Sequence, residues 1–214
     1  MGATAALAAF ATETSTSALP DDVADAARRA ILNTIGVALA GSVEPASRIV
    51  TEQARNKGGA TESAVWGAGS WASAQNAALA NGTAAHALDF DDTNDSMRDH
   101  PSAPILPAVY AIRERTGATR RDVSFPSRSA LRSPASWVSS PGRNPNRGWH
   151  VTAAHGVIGA TAGPARLAGL TTTQRRHAVG IAASSAGGLR GNFGTMTKPP
   201  HVGRAAQSAI ASVE

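Results

Sequence analysis

The 214-residue sequence predicts an all-α fold, and two observations carry that prediction. Apolar residues recur at helical spacing in several stretches, each bounded by capping residues, prolines or glycines. The composition is 42% hydrophobic but only 4% aromatic, so the core must be built from Ala, Val, Ile and Leu. Side chains that small let helices approach one another closely. The length suffices for one sizeable domain with its own core.

The clearest helix covers 19–41, LPDDVADAARRAILNTIGVALAG. Val23, Ala27, Ile31, Thr34/Ile35 and Ala38 recur at helical spacing, Asp21, Asp22 and Asp25 favour the positive N-terminal end, and Gly41 is the stop. The opening MGATAALAAFATETS reads as an early helix. Residues 46–57 repeat the helical pattern up to Gly58 and Gly59, and 64–66 make a short extended piece. Ser70 is the expected N-cap of a helix through 72–88. The next helix, 101–116, is entered through prolines: Pro104 suits a first turn, whereas Pro107 should kink the helix or mark its true start, and Gly117 closes it. Residues 151–168 are rich in Ala and Gly, which suits close helix contact. Thr171 and Gln174 form a capping box for a helix over 173–186. A glycine-rich loop then leads to Lys198 and His201, with a last helical piece from Gly203. Residues 124–141, SFPSRSALRSPASWVSSP, hold seven serines, three prolines and two arginines. That stretch has no period and reads as a loop or linker.

Composition also excludes chemistry. There is no cysteine, hence no disulfide, thiolate metal site or self-ligated iron–sulfur cluster. No run of about 18 apolar residues suggests a membrane span, and the N-terminus lacks the basic region of a signal peptide, so a cytoplasmic location is expected. Residues 1–122 carry 10 Lys/Arg against 14 Asp/Glu, whereas 123–214 carry 10 Lys/Arg and one acid, Glu214. A basic half suits an anionic partner. Nucleic acid is a poor candidate, because Arg120, Arg121, Arg128, Arg132, Arg143 and Arg147 sit in no known binding motif.

The densest chemistry lies in 81–104, NGTAAHALDFDDTNDSMRDHPSAP, with Asp89, Asp91, Asp92, Asp95, Asp99, His86, His100 and Thr93. Asp91, Asp92 and Asp95 match a DDxxD magnesium–diphosphate pattern, but that chemistry needs a second acidic motif and 123–213 contain no acid. Asp89, Asp91 and Asp92 could form a proton-donor cluster, since crowded carboxylates cannot all ionise. They could equally form only a capping turn. Three histidine signals fall near helix ends: His100–Pro101, Gly148–Trp149–His150 and Lys198–Pro199–Pro200–His201. Together they read as one site.

NGTAAHALDFDDT, HPSAPILPA, GWHVTAAHGVIGA and GNFGTMTKPPHVGRAA, in that order, resemble the MmgE/PrpD family. The 19–41 helix and VWGAGSWASAQNAALANG resemble its N-terminal region, with Asn33 where the family usually has Asp. The resemblance implies a large helical domain with a lid, usually a homodimer in which the site lies between domains. It implies 2-methylcitrate dehydratase-like or cis-aconitate decarboxylase-like lyase chemistry on a small tri- or dicarboxylate, without an iron–sulfur cluster, metal or other cofactor. The implied site residues are Asp89, Thr93, His100, His150 and Lys198. Of these, His100 would transfer protons and Asp89 would orient it, while Lys198 and His150 would hold carboxylates with help from Thr93.

Two departures stand beside the resemblance. The family continues an apolar helix where this chain has the aberrant 124–141 run, and the flanks match, a pattern that reads as two compensating frame changes. The resemblance also covers only the N-terminal half of the family, so 1–214 is expected to be a partial helical domain with the lid outside it, and a non-catalytic remnant is the alternative to a working lyase. Purified 1–214 is expected to show no appreciable turnover, because positioning supplies much of a rate enhancement. Robust dehydration of 2-methylcitrate or decarboxylation of cis-aconitate by this polypeptide would overturn that expectation.

Overall fold

The computed structural model describes residues 21–94, 99–119 and 148–214. Seven α-helices and one short hairpin make up the described part. The expected early helix, the 124–141 run, Asp95 and the six arginines between 120 and 147 lie outside the described residues.

Helix α1 (Asp21–Gly41) begins with Asp21 and Asp22 and buries Ala24, Ala27, Thr34, Ala38 and Gly41. Its opposite face is open, with Leu32 75% exposed. Helix α2 (Pro45–Asn56) starts on a proline, whose missing N–H costs nothing in a first turn. Strands β1 (Ser63–Val65) and β2 (Ser70–Ala72) pair antiparallel, with Ser63 opposite Ala72. Ser70 is therefore in a strand and is not the N-cap expected from the sequence. Gly67 and Gly69, at φ 74° and 59°, reverse the chain between the strands, and helix α3 (Ala74–Ala85) is capped instead by Ser73, whose hydroxyl accepts from the Asn76 N–H.

Helix α3 is the centre of the fold, buried along its length except at Gln75, and it packs against α1, α2, α4 and α7. Helix α4 (Ser102–Thr116) contains Pro107 in its interior, so that proline does not mark the start; Gly117, at φ 68°, ends it. Helix α5 (Val151–Leu167) lies against α4, where Gly156 faces Pro104 so closely that a Cβ would stand 2.6 Å from the ring. Helix α6 (Thr172–Ser184) carries the expected capping box of Thr171 and Gln174. After a 3-10 turn (Arg190–Asn192), helix α7 covers Lys198–Ala211. It starts five residues before Gly203, the start expected from the sequence, because Pro199 and Pro200 fit a first turn.

The main core joins α3 to α7 around Ile105, Val109, Ile112, Val157 and Ile210, with alanines filling the gaps. Helices α3 and α7 cross closely at Gly82 and Gly203. A Cβ on Gly203 would lie 2.2 Å from the Leu79 carbonyl and 2.4 Å from Thr83 Oγ1. Gly203→Ala is accordingly expected to lower the unfolding free energy by about 1–3 kcal/mol through overpacking. Gly180→Ala, in open space on α6, should instead gain up to about 1 kcal/mol of helix propensity. Urea denaturation of both variants checks this, and an unshifted Gly203→Ala would contradict the close crossing.

Candidate active site

The site is assembled at the end of α3 and the beginnings of α4, α5 and α7. Helix α3 ends on His86, and the chain then turns through Asp89 at φ 55°, a left-handed conformation that costs a non-glycine residue on the order of 1 kcal/mol. Lys198, the first residue of α7, donates to both carboxylate oxygens of Asp89. Burial alone pushes the Asp89 carboxyl up, but the Lys198 hydrogen bond and the positive charges of His86, Lys198 and His100 together hold it below the ordinary range.

The other aspartates of the stretch part company. Asp92 accepts from the backbone N–H and the hydroxyl of Ser102 and so anchors the start of α4. Burial raises its pKa, with the neighbouring Asp91 adding to the rise and the Ser102 hydrogen bonds offsetting part of it. Asp91 is buried and takes the Nδ1 of His86 at 2.8 Å. Asp91 and Asp92 lie outside any helix, so the DDxxD geometry of ligands one helical turn apart is not formed by them. Asp99 is buried beside His100, and burial pushes its carboxyl up to about 7.

His150 caps the N-terminal end of α5, and its own N–H donates to the Gly188 carbonyl at 2.9 Å while Arg190 N–H donates to Gly148 at 2.9 Å. This short ladder fastens the glycine-rich segment beside α5. Gly188 makes the approach possible: at φ 105°, any Cβ it carried would meet His150, Ala153 and His201 at 3.2–3.3 Å.

Four of the six histidines come together here. The His86 ring lies 4.9 Å from that of His100 and is stacked 5.3 Å from that of His150, which is 5.5 Å from His201. His150 Nδ1 and His201 Nδ1 are 3.3 Å apart, so one of them carries the proton and the other accepts it. Burial, followed by the positive neighbours His86, His201, Lys198 and His100, presses the His150 pKa down to about 3. His201 is lowered as well, again by burial first and then by His86. A cavity of about 290 Å³ opens over this cluster, lined by His100, Trp149, His150, Val151, Thr152, Arg190, Phe193 and Lys198. Phe193 places its edge on His150 and has both Lys198 Nζ (5.3 Å) and Arg190 (5.8 Å) over its ring, cation–π contacts that help hold two positive groups at one wall.

Of the residues expected from the sequence, His100, His150 and Lys198 line this cavity, and Asp89 lies behind it, bound to Lys198. Thr93 is exposed and is not among the lining residues. The expected partnership of Asp89 with His100 is replaced: Asp89 pairs with Lys198, and the carboxylate next to His100 Nδ1 is Asp91, at 3.4 Å. His86, Arg190 and Phe193 were given no site role from the sequence, and Asp91 only a place in the DDxxD pattern and the proton-donor cluster. His201 was noted without one, although Lys198 and His201 stand three residues apart and share a helix face once α7 is started at Lys198. Ligand-type atoms of His86, Asp91 and His100 lie within 4.8 Å of one another. The 2.8 Å between His86 Nδ1 and Asp91 Oδ2 is, however, a hydrogen-bond length. Two ligands of a tetrahedral ion at ~2.0–2.1 Å stand about 3.3 Å apart, so an ion would have to push this pair open.

A family model described as the MmgE/PrpD N-terminal domain matches residues 5–214. The chain belongs to the MmgE/PrpD family. Human cis-aconitate decarboxylase is 32% identical over 203 residues, an alignment covering 90% of this chain and 41% of the human protein. The mouse cis-aconitate decarboxylase is 29% identical over 199 residues, with the same coverage. That of Aspergillus terreus is 27% identical over 218 residues, covering 98% of this chain and 44% of the fungal protein. The chain thus spans about two fifths of the length of these MmgE/PrpD relatives, over their N-terminal part. Among its described residues, no helix is long and apolar enough to cross a membrane.

The pKa shifts give opposite pH signatures. His150, depressed from 6.5 to about 3, binds a proton in the unfolded chain before it does in the folded one, so its contribution to stability is full above about 6.5 and is lost as pH falls toward 3. Asp99, raised from 3.8 to about 7, stabilises fully below about 3.8 and loses that contribution as pH rises through 7. Relative to the parent, His150→Gln should therefore lose less stability on acidification from pH 6.5, and Asp99→Asn should lose less as pH rises from 4 to 7. Denaturant unfolding across that range checks both slopes, and parallel curves for parent and variants would refute the assignment.

Proposed function

We propose that this MmgE/PrpD chain contributes the acid/base and carboxylate-binding side chains of a lyase acting on a small polycarboxylate of the cis-aconitate type. The observation that carries this reading is the convergence of His100, His150 and Lys198, from separate helix ends, on one cavity with cations on its wall, Lys198 being held by Asp89. At about 290 Å³ the cavity is at the small end of ligand pockets, a fit for a six-carbon acid. The names of the relatives favour decarboxylation over dehydration.

The chemistry follows from the charges. When the bond to a departing carboxylate breaks, its electron pair stays on the substrate as carbon dioxide leaves, and the resulting carbanion is delocalised into the adjacent double bond and carboxylate. A proton must then be delivered to carbon, and His100 is the group assigned to deliver it. Lys198 and Arg190 hold the remaining carboxylates, and their positive charge lowers the energy of the anion that develops. Asp89 occupies Lys198 until substrate arrives, so binding exchanges one carboxylate partner for another. His150, kept neutral by burial and by its positive neighbours, contributes a hydrogen bond and no charge.

Titrating the ¹⁵N-labelled chain with cis-aconitate is expected to move the imidazole signals of His100 and His150. Lys198→Ala should weaken this binding tenfold or more, since a hydrogen bond to a charged group is worth about 1.5–3 kcal/mol. Shifts that also appear with acetate, or that survive in Lys198→Ala, would remove the support for a polycarboxylate site. A stronger response to 2-methylcitrate would redirect the reading to dehydration.

A further inference from the structure

His86 and Asp91 are buried between the groups assigned to chemistry, and neither lines the cavity. Asp91 Oδ2 lies 2.8 Å from His86 Nδ1 and 3.4 Å from His100 Nδ1. The backbone carbonyl of Asp91 is also 3.4 Å from His100 Nδ1. A carbonyl oxygen only accepts, so two acceptors converge on the same ring nitrogen, and that nitrogen must carry the hydrogen. The backbone of His100 is pinned separately, its N–H donating to Thr152 Oγ1 at 3.2 Å. His86 Nε2 is buried with no hydrogen-bond partner among the described residues and lies 3.7 Å from Asp89 Oδ1. The one imidazole therefore stands between the Asp91–His100 half of the site and the Asp89–Lys198 half.

We propose that Asp91 and His86 are positioning residues: one carboxylate oxygen of Asp91 accepts the Nδ1–H of both imidazoles and fixes His100 as the Nδ1–H tautomer, so that Nε2 is the nitrogen offered to substrate. The oxygen is held in place by His86, which has no route to solvent and no freedom to turn. Without that hold, Asp91 would be a buried carboxylate free to choose another donor, and the His100 ring could flip or exchange tautomers. Burial strengthens the arrangement, because a hydrogen bond to a carboxylate in a low-dielectric site is worth more than one in water. The Oδ1 atom of Asp91 has no partner among the described residues, so the carboxylate is committed through Oδ2. This positioning rests on the proton delivery assigned to His100 above: with Nδ1–H held by Asp91, Nε2 is the nitrogen that takes up a proton and then passes it to carbon, whereas the tautomer itself is read without any substrate.

Long-range ¹H–¹⁵N correlation spectra of the 214-residue chain, labelled in histidine and recorded at mildly alkaline pH, test the proposal. The expected result is a proton on Nδ1 of both His86 and His100. In Asp91→Leu the shared acceptor is gone, so His86 should convert to the Nε2–H form, with Asp89 Oδ1 3.7 Å from that nitrogen, and His100 is left with the backbone carbonyl alone. In His86→Asn an amide N–H can still face Asp91, and the His100 signature should persist. A bare Nδ1 on His86 or His100 in the parent chain would overturn the proposal. So would a folded Asp91→Leu protein in which both rings keep their original tautomer. Should that variant fail to fold, the parent spectrum and His86→Asn decide the matter. Failure of cis-aconitate to bind, with these tautomers in place, would count against the functional reading and not against the network.

Discussion

The approach of α3 to α7 at Gly82 and Gly203 is the constraint on which the rest of the molecule depends. Two backbones can come this near only where neither carries a Cβ, and the positions nearest the contact are main-chain atoms that cannot swing aside. The crossing sets the two helices so that the C-terminal end of α3 faces the N-terminal end of α7. His86 follows Gly82 by four residues and Lys198 precedes Gly203 by five, so each helix brings its functional residues to the same place. Lys198 occupies the first position of its helix, where the positive end of the dipole disfavours a cation. Asp89, held in a left-handed turn, compensates with both of its oxygens.

Around that junction the protein accumulates buried polar groups, many of which bond to one another, while His86 Nε2, Asp91 Oδ1 and Asp99 Oδ1 find no partner among the described residues. The Nδ1 atoms of His150 and His201 face each other, Asp91 bonds to His86 and lies beside His100, and Asp92 holds the first residue of α4. Most of these groups are buried, which lowers the local dielectric. In such a setting the same burial drives a carboxyl upward and an imidazole downward, as at Asp99 and His150. Neutral and charged histidines can then coexist a few ångströms apart, which is the condition for one group to hold a carboxylate while its neighbour handles a proton.

Much of this arrangement was legible in the residues. The helical spacing of α1, the proline entry to α4 and the Thr171–Gln174 box each depend on interactions within a few residues, and each was found where expected. The misread places are those where a distant partner decides. Ser70 suits an N-cap as well as a strand, and only pairing with 63–65 selects the strand. Lys198 and His201 look like loop residues because prolines follow Lys198, yet those prolines occupy a first helical turn. Asp89 and Asp91 are two residues apart on one short stretch, and nothing local says which of them faces His100.

The sequence by itself determined the helical class, the small-residue core, the family and most of the side chains that gather at the site. These follow from periodicity, composition and motif order, properties of residues near one another along the chain. The tertiary structure decided which carboxylate partners which base, that His86 is a buried link and that Thr93 stands outside the cavity wall. Those outcomes depend on the angle and closeness of α3, α4, α5 and α7, and that geometry is set by contacts such as Gly82–Gly203 between residues 121 positions apart.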